Sequence, residues 1–515
     1  MRKLLTFLML IPFLLFCAHK SDAAEKEERK WQDESIYFVM VDRFMNGDRD
    51  NDYEVDTDDP AAYHGGDLQG VIDQLDHIEE LGFTTLLISP IMDNEEKGYH
   101  GYWIQDFMEV EEHFGTMEDA QRLVKEAHDR DIKVIFDFVV SHTGEQHPWL
   151  EDNEKTEWFH EEQSTPGEDQ QHFKSSWMEG LPDLNTENPQ VRQYLFDAAE
   201  YWIQETNVDG FRLNDGNHAS KDFWNEFSDR VKSVDEDFFL LGDVRSEDPE
   251  SVSEYESTGM DSFSNYLYYN EAIEVFDSVD GSLSGLSHVL DKNEQSFEEP
   301  YLLGNFIDNQ ASKRFTRIAA DDNENPITRW KLALTHLFTA PGIPVVYYGS
   351  EVPLDGGDSP DNHRMMDFKG TNEELQQRIE KLNSMRDEFP ALTRGSYEEL
   401  FNEDGMAVYK REFEGQTMVI AINNASGTRS ADLTDLPDDH QMRGLLEDGV
   451  IRQANDNAYK LGMERETADV FVVEEDHGLN WLFIGFVGCI LLLFVIAVAW
   501  ITLKNKREGQ KTEAL

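Results

Sequence analysis

The chain has 515 residues, carries 105 Asp and Glu against 44 Lys and Arg, and holds a formal net charge of −61. A field of that size excludes a polyphosphate-binding surface, so no nucleic-acid partner is expected, and neutral partners such as sugars fit better. With 39% hydrophobic residues the chain can fill a large core, and its length points to about three structural units.

The first segment, residues 1–23, runs from Met1-Arg2-Lys3 through an apolar stretch to the small-residue site Ser21-Asp22-Ala23. It predicts a secretory signal peptide. From 35 to 392, short apolar runs alternate with amphipathic windows. Ile36 to Met40, Thr84 to Ile88, Val134 to Val140, Phe238 to Leu241 and Pro344 to Tyr348 read as buried strands. Gly70 to Leu81, Met117 to Arg130, Pro189 to Glu205 and Ser220 to Val231 read as helices. Repeated strand-helix units of this kind imply an α/β fold with a parallel sheet, open or closed into a barrel.

Residues 142–185, polar and rich in Glu, Gln and Trp, interrupt the rhythm and predict an inserted loop domain. Residues 393–475 shift to alternating strands and predict an all-β unit, here a β-sandwich. The apolar run 481–503 is long enough to cross a hydrocarbon core of about 30 Å. The Lys504-Asn505-Lys506-Arg507 cluster behind it places the tail 504–515 in the cytoplasm and the rest outside, as a single-pass membrane protein. The two cysteines, Cys17 and Cys489, both lie in apolar terminal stretches, which excludes a disulfide framework for everything between them.

Polar motifs sit where strands of a barrel would end: Val41-Asp42-Arg43-Phe44, Tyr99-His100-Gly101-Tyr102-Trp103, Asp137 to His142, Gly210-Phe211-Arg212-Leu213-Asn214-Asp215, Leu241-Gly242-Asp243 and Gly304 to Asn309, with Leu181 to Asn185 in the insert. The ordered series resembles the α-amylase family, glycoside hydrolase family 13, over about residues 35–475. The resemblance implies a (β/α)8 TIM barrel with domain B inserted after strand 3, a C-terminal domain C, and retaining hydrolysis of α-1,4-glucans. Such hydrolysis uses one carboxylate to attack the anomeric carbon and a second to carry the proton; in this family a third supports the developing positive charge.

This sequence departs from that pattern at all three places. The nucleophile position is Asn214, the acid/base position is Asp243, one methylene short of Glu, and the stabiliser position is Ala311. The neighbouring family His is Gln310, and the last loop reads Ser359-Pro360-Asp361-Asn362-His363-Arg364. His100, Tyr102, His142, Arg212 and His218 match the family's substrate-binding residues, with Gln310 and His363 at substituted positions. Trp103, Trp149, Trp158 and Trp177 are either sugar platforms or loop packing.

Calcium is the expected cofactor. Asn46, Asp48, Asn51 and Asp52, with Gly65 and Asp67 downstream, are similar to a calcium loop of some family members, and clustered oxygen donors around a turn suit a hard cation. The alternative is a solvated acidic turn. A second family calcium site would use Asp183 and the His218 carbonyl, but Ser141 stands where the family has Asn.

The expected function is an extracellular, membrane-anchored α-amylase-like protein that binds α-1,4-glucan or a related glycan with lost or strongly weakened hydrolysis. The alternative is an active α-amylase with displaced acids, Asp215 and Asp243, helped by Asp308. Because side chains alternate along a strand, Asp215 is expected to point away from the pocket unless a bulge re-aims it.

Overall fold

The structure, a computed structural model, describes residues 29–161, 180–370, 372–454, 457–476 and 481–512. The predicted signal peptide, the middle of the insert and Trp177 lie outside the described residues.

Eight parallel strands form the central sheet: β1 (Ile36–Val39), β2 (Thr85–Ile88), β3 (Lys133–Val139), β4 (Gly210–Asn214), β5 (Phe239–Gly242), β6 (Ser262–Phe263), β7 (Gly304–Phe306) and β8 (Ile343–Tyr347). Their order around the sheet is β6-β5-β4-β3-β2-β1-β8-β7. A parallel bridge between Ser264 and Gly304 joins the two outer strands and closes the sheet into a barrel. Both faces of each strand are covered, so the strands are near-continuous apolar runs rather than alternating ones; the eight side chains from Ile36 to Arg43 are all buried.

The helices start where short polar side chains cap them. Thr116 and Asp119 form a reciprocal capping box on Met117–His128, Asn188 accepts from the Gln190 amide at the head of Pro189–Thr206, and Ser220 accepts from the Phe223 amide at the head of Lys221–Val234. The single helix expected over Gly70 to Leu81 is instead two, Leu68–Asp73 and Leu75–Glu80, separated at Gln74. Asp67 caps the first of them by accepting from the Gly70 amide.

Beyond the barrel, β9 (Ser396–Glu403), β10 (Met406–Phe413), β11 (Gln416–Asn423), β12 (Arg429–Leu433), β13 (His440–Gly444), β14 (Val450–Arg452), β15 (Tyr459–Met463) and β16 (Thr467–Glu475) make an all-β unit. Six strands form one sheet, and β12 pairs with β15 in a second. Met406, Val408, Val419, Tyr459, Leu461 and Phe471 belong to a core of their own between them. Arg329 ties the unit to the barrel through Glu466 at 2.7 Å and the Asn424 side chain at 2.5 Å. The final helix, Trp481–Thr512, contains the apolar window Gly485–Leu503, with mean hydropathy 2.8 and no burial against the rest of the chain.

Candidate functional site

A cleft of about 390 Å³ opens at the carboxyl ends of the barrel strands, where this fold places its chemistry. Asn214, the last residue of β4, is buried in its lining, and its Oδ1 has no hydrogen-bond partner. His100, Tyr102, Trp103, His142, His218, Gln310, Ala311 and His363 also line it, from loops after β2, β3, β4, β7 and β8.

Asp215 lines the cleft as well, which corrects the expectation that it points away. The strand stops at Asn214, and Asp215 takes a left-handed backbone with φ 49° and ψ 48°. That conformation costs about 1 kcal/mol or more for a non-glycine residue, and it breaks the alternation that would have turned the side chain outward. The carboxylate ends 2.9 Å from Arg245 Nε.

Arg212 and Asp243 are not among the lining residues; they lie buried in the barrel wall. The Arg212 guanidinium sits between two carboxylates, 2.6 Å from Asp137 and 2.8 Å from Asp243. Tyr102 donates its hydroxyl to Asp137 at 2.7 Å, and Tyr266 donates to Asp243 at 2.9 Å. Burial alone would raise the Asp243 carboxyl, but the positive charges of Arg212 and Arg245 outweigh it and hold Asp243 below the usual carboxylate range. A carboxylate so held keeps no proton to donate at neutral pH. Asp137, against the same guanidinium, is pushed up by burial to about 6.

The imidazoles of His100, His142 and His363 are neutral donors and acceptors, held down by burial. Burial pushes His100 down to about 3 and His363 down to about 4. His363 Nε2 meets the Gln310 carbonyl at 2.6 Å and its Nδ1 meets the Tyr99 hydroxyl at 2.9 Å, a pattern that fits the Nε2–H tautomer. His142 bridges the Ser141 hydroxyl and the Tyr102 carbonyl. Trp149 and Trp158 pack on each other at 4.7 Å and on Tyr194, outside the cleft lining.

The segment 46–52 folds against Gly65 and Asp67. Asn46 Oδ1 and Asn51 Oδ1 are buried without partners, while Asn46 Nδ2 donates to Asp52 at 2.7 Å. A Cβ on Gly65, whose φ is +88°, would fall 2.7 Å from both Asn46 Nδ2 and Asp52 Oδ1, so the cradle needs glycine. Orphaned amide oxygens facing a carboxylate suit calcium, and the residues fit that ion. Asp67 is already engaged by the amides of Gly47, Asp48 and Gly70. No group of three or more His, Cys, Asp and Glu among the described residues could hold a metal, so amide and carbonyl oxygens would have to supply most ligands. At the other position, burial pushes Asp183 up to about 8 and its Oδ2 has no hydrogen bond, while Ser141 spends its hydroxyl on His142.

Residues 38–394 match the model of the α-amylase catalytic domain, and residues 395–471 match that of the α-amylase C-terminal domain. The chain belongs to the α-amylase family. It is 34% identical over 414 residues to the Beta/alpha-amylase of Paenibacillus polymyxa, covering 77% of this chain but only 34% of that relative. A crystal structure of an Anoxybacillus α-amylase superposes with a TM-score of 0.86 at 53% identity, covering 88% of this chain and all of that one. The α-amylase of Geobacillus thermoleovorans, crystallised with acarbose, superposes at 0.84 with 48% identity over 87% of this chain and all of that one.

Sequence reasoning missed Arg245 as a member of the cleft lining. The only signal is its place two residues after Asp243, and no motif marks it. Leu181 and Ser359, from the insert motif and the last loop, also line the cleft.

Proposed function

We propose that the protein binds α-1,4-glucan or a related glycan in this cleft and that its hydrolysis is lost or strongly weakened. One observation carries the reading: the side chain at the end of β4 is the carboxamide of Asn214, which forms no glycosyl ester. The state of Asp243 supports it, since a carboxylate locked to Arg212 and Tyr266 is a poor proton donor. Ala311 adds no charge to steady an oxocarbenium-like centre. His100, Tyr102, His142, His218, Gln310 and His363 supply the polar and aromatic surface that a sugar needs.

A second reading is a working α-amylase with displaced acids. The relatives, which bear the names of amylases, weigh on its side, and the cleft-facing Asp215 is the one local feature that favours it. Incubation of the full chain with maltoheptaose separates the two. Binding without new reducing ends supports the first reading; turnover abolished by Asp215→Ala supports the second and overturns the first.

The same reading includes calcium on the Asn46 to Asp52 loop, and secretion by the leader with retention by the helix 481–503, so that the cleft faces the cell exterior. Recovery of the protein in an alkaline-carbonate supernatant would contradict the anchor.

A further inference from the structure

Arg245, three residues past β5, stands at the mouth of the cleft with 41% of its side chain exposed. Only its Nε is engaged among the described residues, by Asp215 at 2.9 Å and, more distantly, by Asp243 at 3.8 Å. The two terminal nitrogens remain as an open planar fork. That fork matches the paired oxygens of a carboxylate or phosphate, which it binds with two parallel hydrogen bonds.

The surrounding lining has lost the charges that would repel such a group. Asn214 and Ala311 are neutral, and Asp215 is paired with Arg245 itself. Asn214 Oδ1 and Gln310 Oε1 are buried acceptors without donors, each costing about 1–3 kcal/mol while unmet. The hydroxyls of a sugar would satisfy them. Together the cleft asks for hydroxyl donors at its floor and an anion at its rim.

We propose that the cleft takes a glycan carrying an anionic group, carboxylate or phosphate, which Arg245 grips through its terminal nitrogens. This rests on the glycan-binding reading above and names the ligand class within it. The net charge of −61 opposes any anion at long range, but at physiological ionic strength that field is screened beyond about 8 Å. The contact at Arg245 is shorter than that and keeps its strength.

The test is calorimetric titration of the full chain in a zwitterionic detergent at physiological ionic strength with three probes of equal length. These are maltoheptaose, the same oligosaccharide with one 6-carboxylate, and the same with one 6-phosphate. The expected result is that at least one acidic probe binds about 10-fold tighter than maltoheptaose, the worth of one good bidentate pair. The tighter of the two identifies the group. Arg245→Gln should bring all three probes within about twofold of one another. Arg245→Lys, which retains the charge and the pairing to Asp215 without the fork, should lose at least half of the preference and decides the matter if Arg245→Gln fails to fold. Maltoheptaose binding as tightly as both acidic probes, or a preference that survives in both variants, overturns the proposal while leaving glycan binding intact. Binding of none of the three removes the glycan reading and this proposal together.

Discussion

Arg212 Nη2 lies 2.8 Å from Asp243 Oδ2, and the pair is buried. A side chain one methylene shorter than Glu meets the guanidinium in the barrel wall instead of entering the cleft. Removing the charge from one partner of such a pair leaves the other uncompensated, typically at about 3–5 kcal/mol. Asp243→Asn should therefore lower unfolding stability by about 3 kcal/mol, measured by urea denaturation at pH 7. A loss under about 1 kcal/mol would mean that Asp137 alone suffices for Arg212.

His363 makes stability fall in mild acid. Its folded-state value is depressed to about 4 by burial, whereas an unfolded histidine titrates near about 6.5. Between those values the unfolded chain binds a proton that the folded chain refuses, so stability is full above about 6.5 and declines as pH falls toward about 4. The contribution is up to about 3 kcal/mol across the window. Comparing unfolding at pH 7 and pH 4.5 for the native chain and His363→Gln checks this: the variant should show the smaller drop.

Tyr102 serves two ends at once. Its hydroxyl donates to the buried Asp137 at 2.7 Å while its ring lines the cleft. Tyr102→Phe should cost about 1.5–3 kcal/mol in stability, the range for a hydrogen bond to a charged group, and leave maltoheptaose retardation in a native gel largely in place. Tyr102→Ala should abolish the retardation. Equal retardation of both variants would remove Tyr102 from the sugar surface.

Calcium, if it occupies the Asn46 to Asp52 loop, stabilises the folded chain by mass action, about 2.7 kcal/mol at 100 times its dissociation constant. Chelation should lower the melting temperature, and Asn51→Ala should erase the calcium-dependent part of it. A melting temperature indifferent to calcium in the native chain would assign the loop to a solvated acidic turn.

Much of this architecture was legible because short apolar runs such as Val134 to Val140, set between amphipathic windows such as Met117 to Arg130, read as buried strands alternating with helices. The strands Ser262–Phe263 and Gly304–Phe306 were not, since two or three residues hold no period. The polar residues of the cleft could be placed by their position after strands, yet three details escaped. Asp215 is aimed by a left-handed backbone that no pattern encodes. Arg212 and Asp243 satisfy each other in the barrel wall, although both stand in motifs that suggested exposure to a ligand. Arg245 is a solitary cation whose role depends on a neighbour 30 residues earlier in the chain.

The most direct measurement is trapping of a covalent intermediate. The full chain is incubated with a 5-fluoro-α-glucosyl fluoride, which glycosylates a competent carboxylate nucleophile with loss of fluoride and is released slowly, and its intact mass is recorded. The native chain should gain no glycosyl mass, whereas the combination of Asn214→Asp, Asp243→Glu and Ala311→Asp should gain one glycosyl unit on the residue at position 214. A glycosyl adduct on the native chain, mapped by peptide digestion to Asp215, would contradict the account.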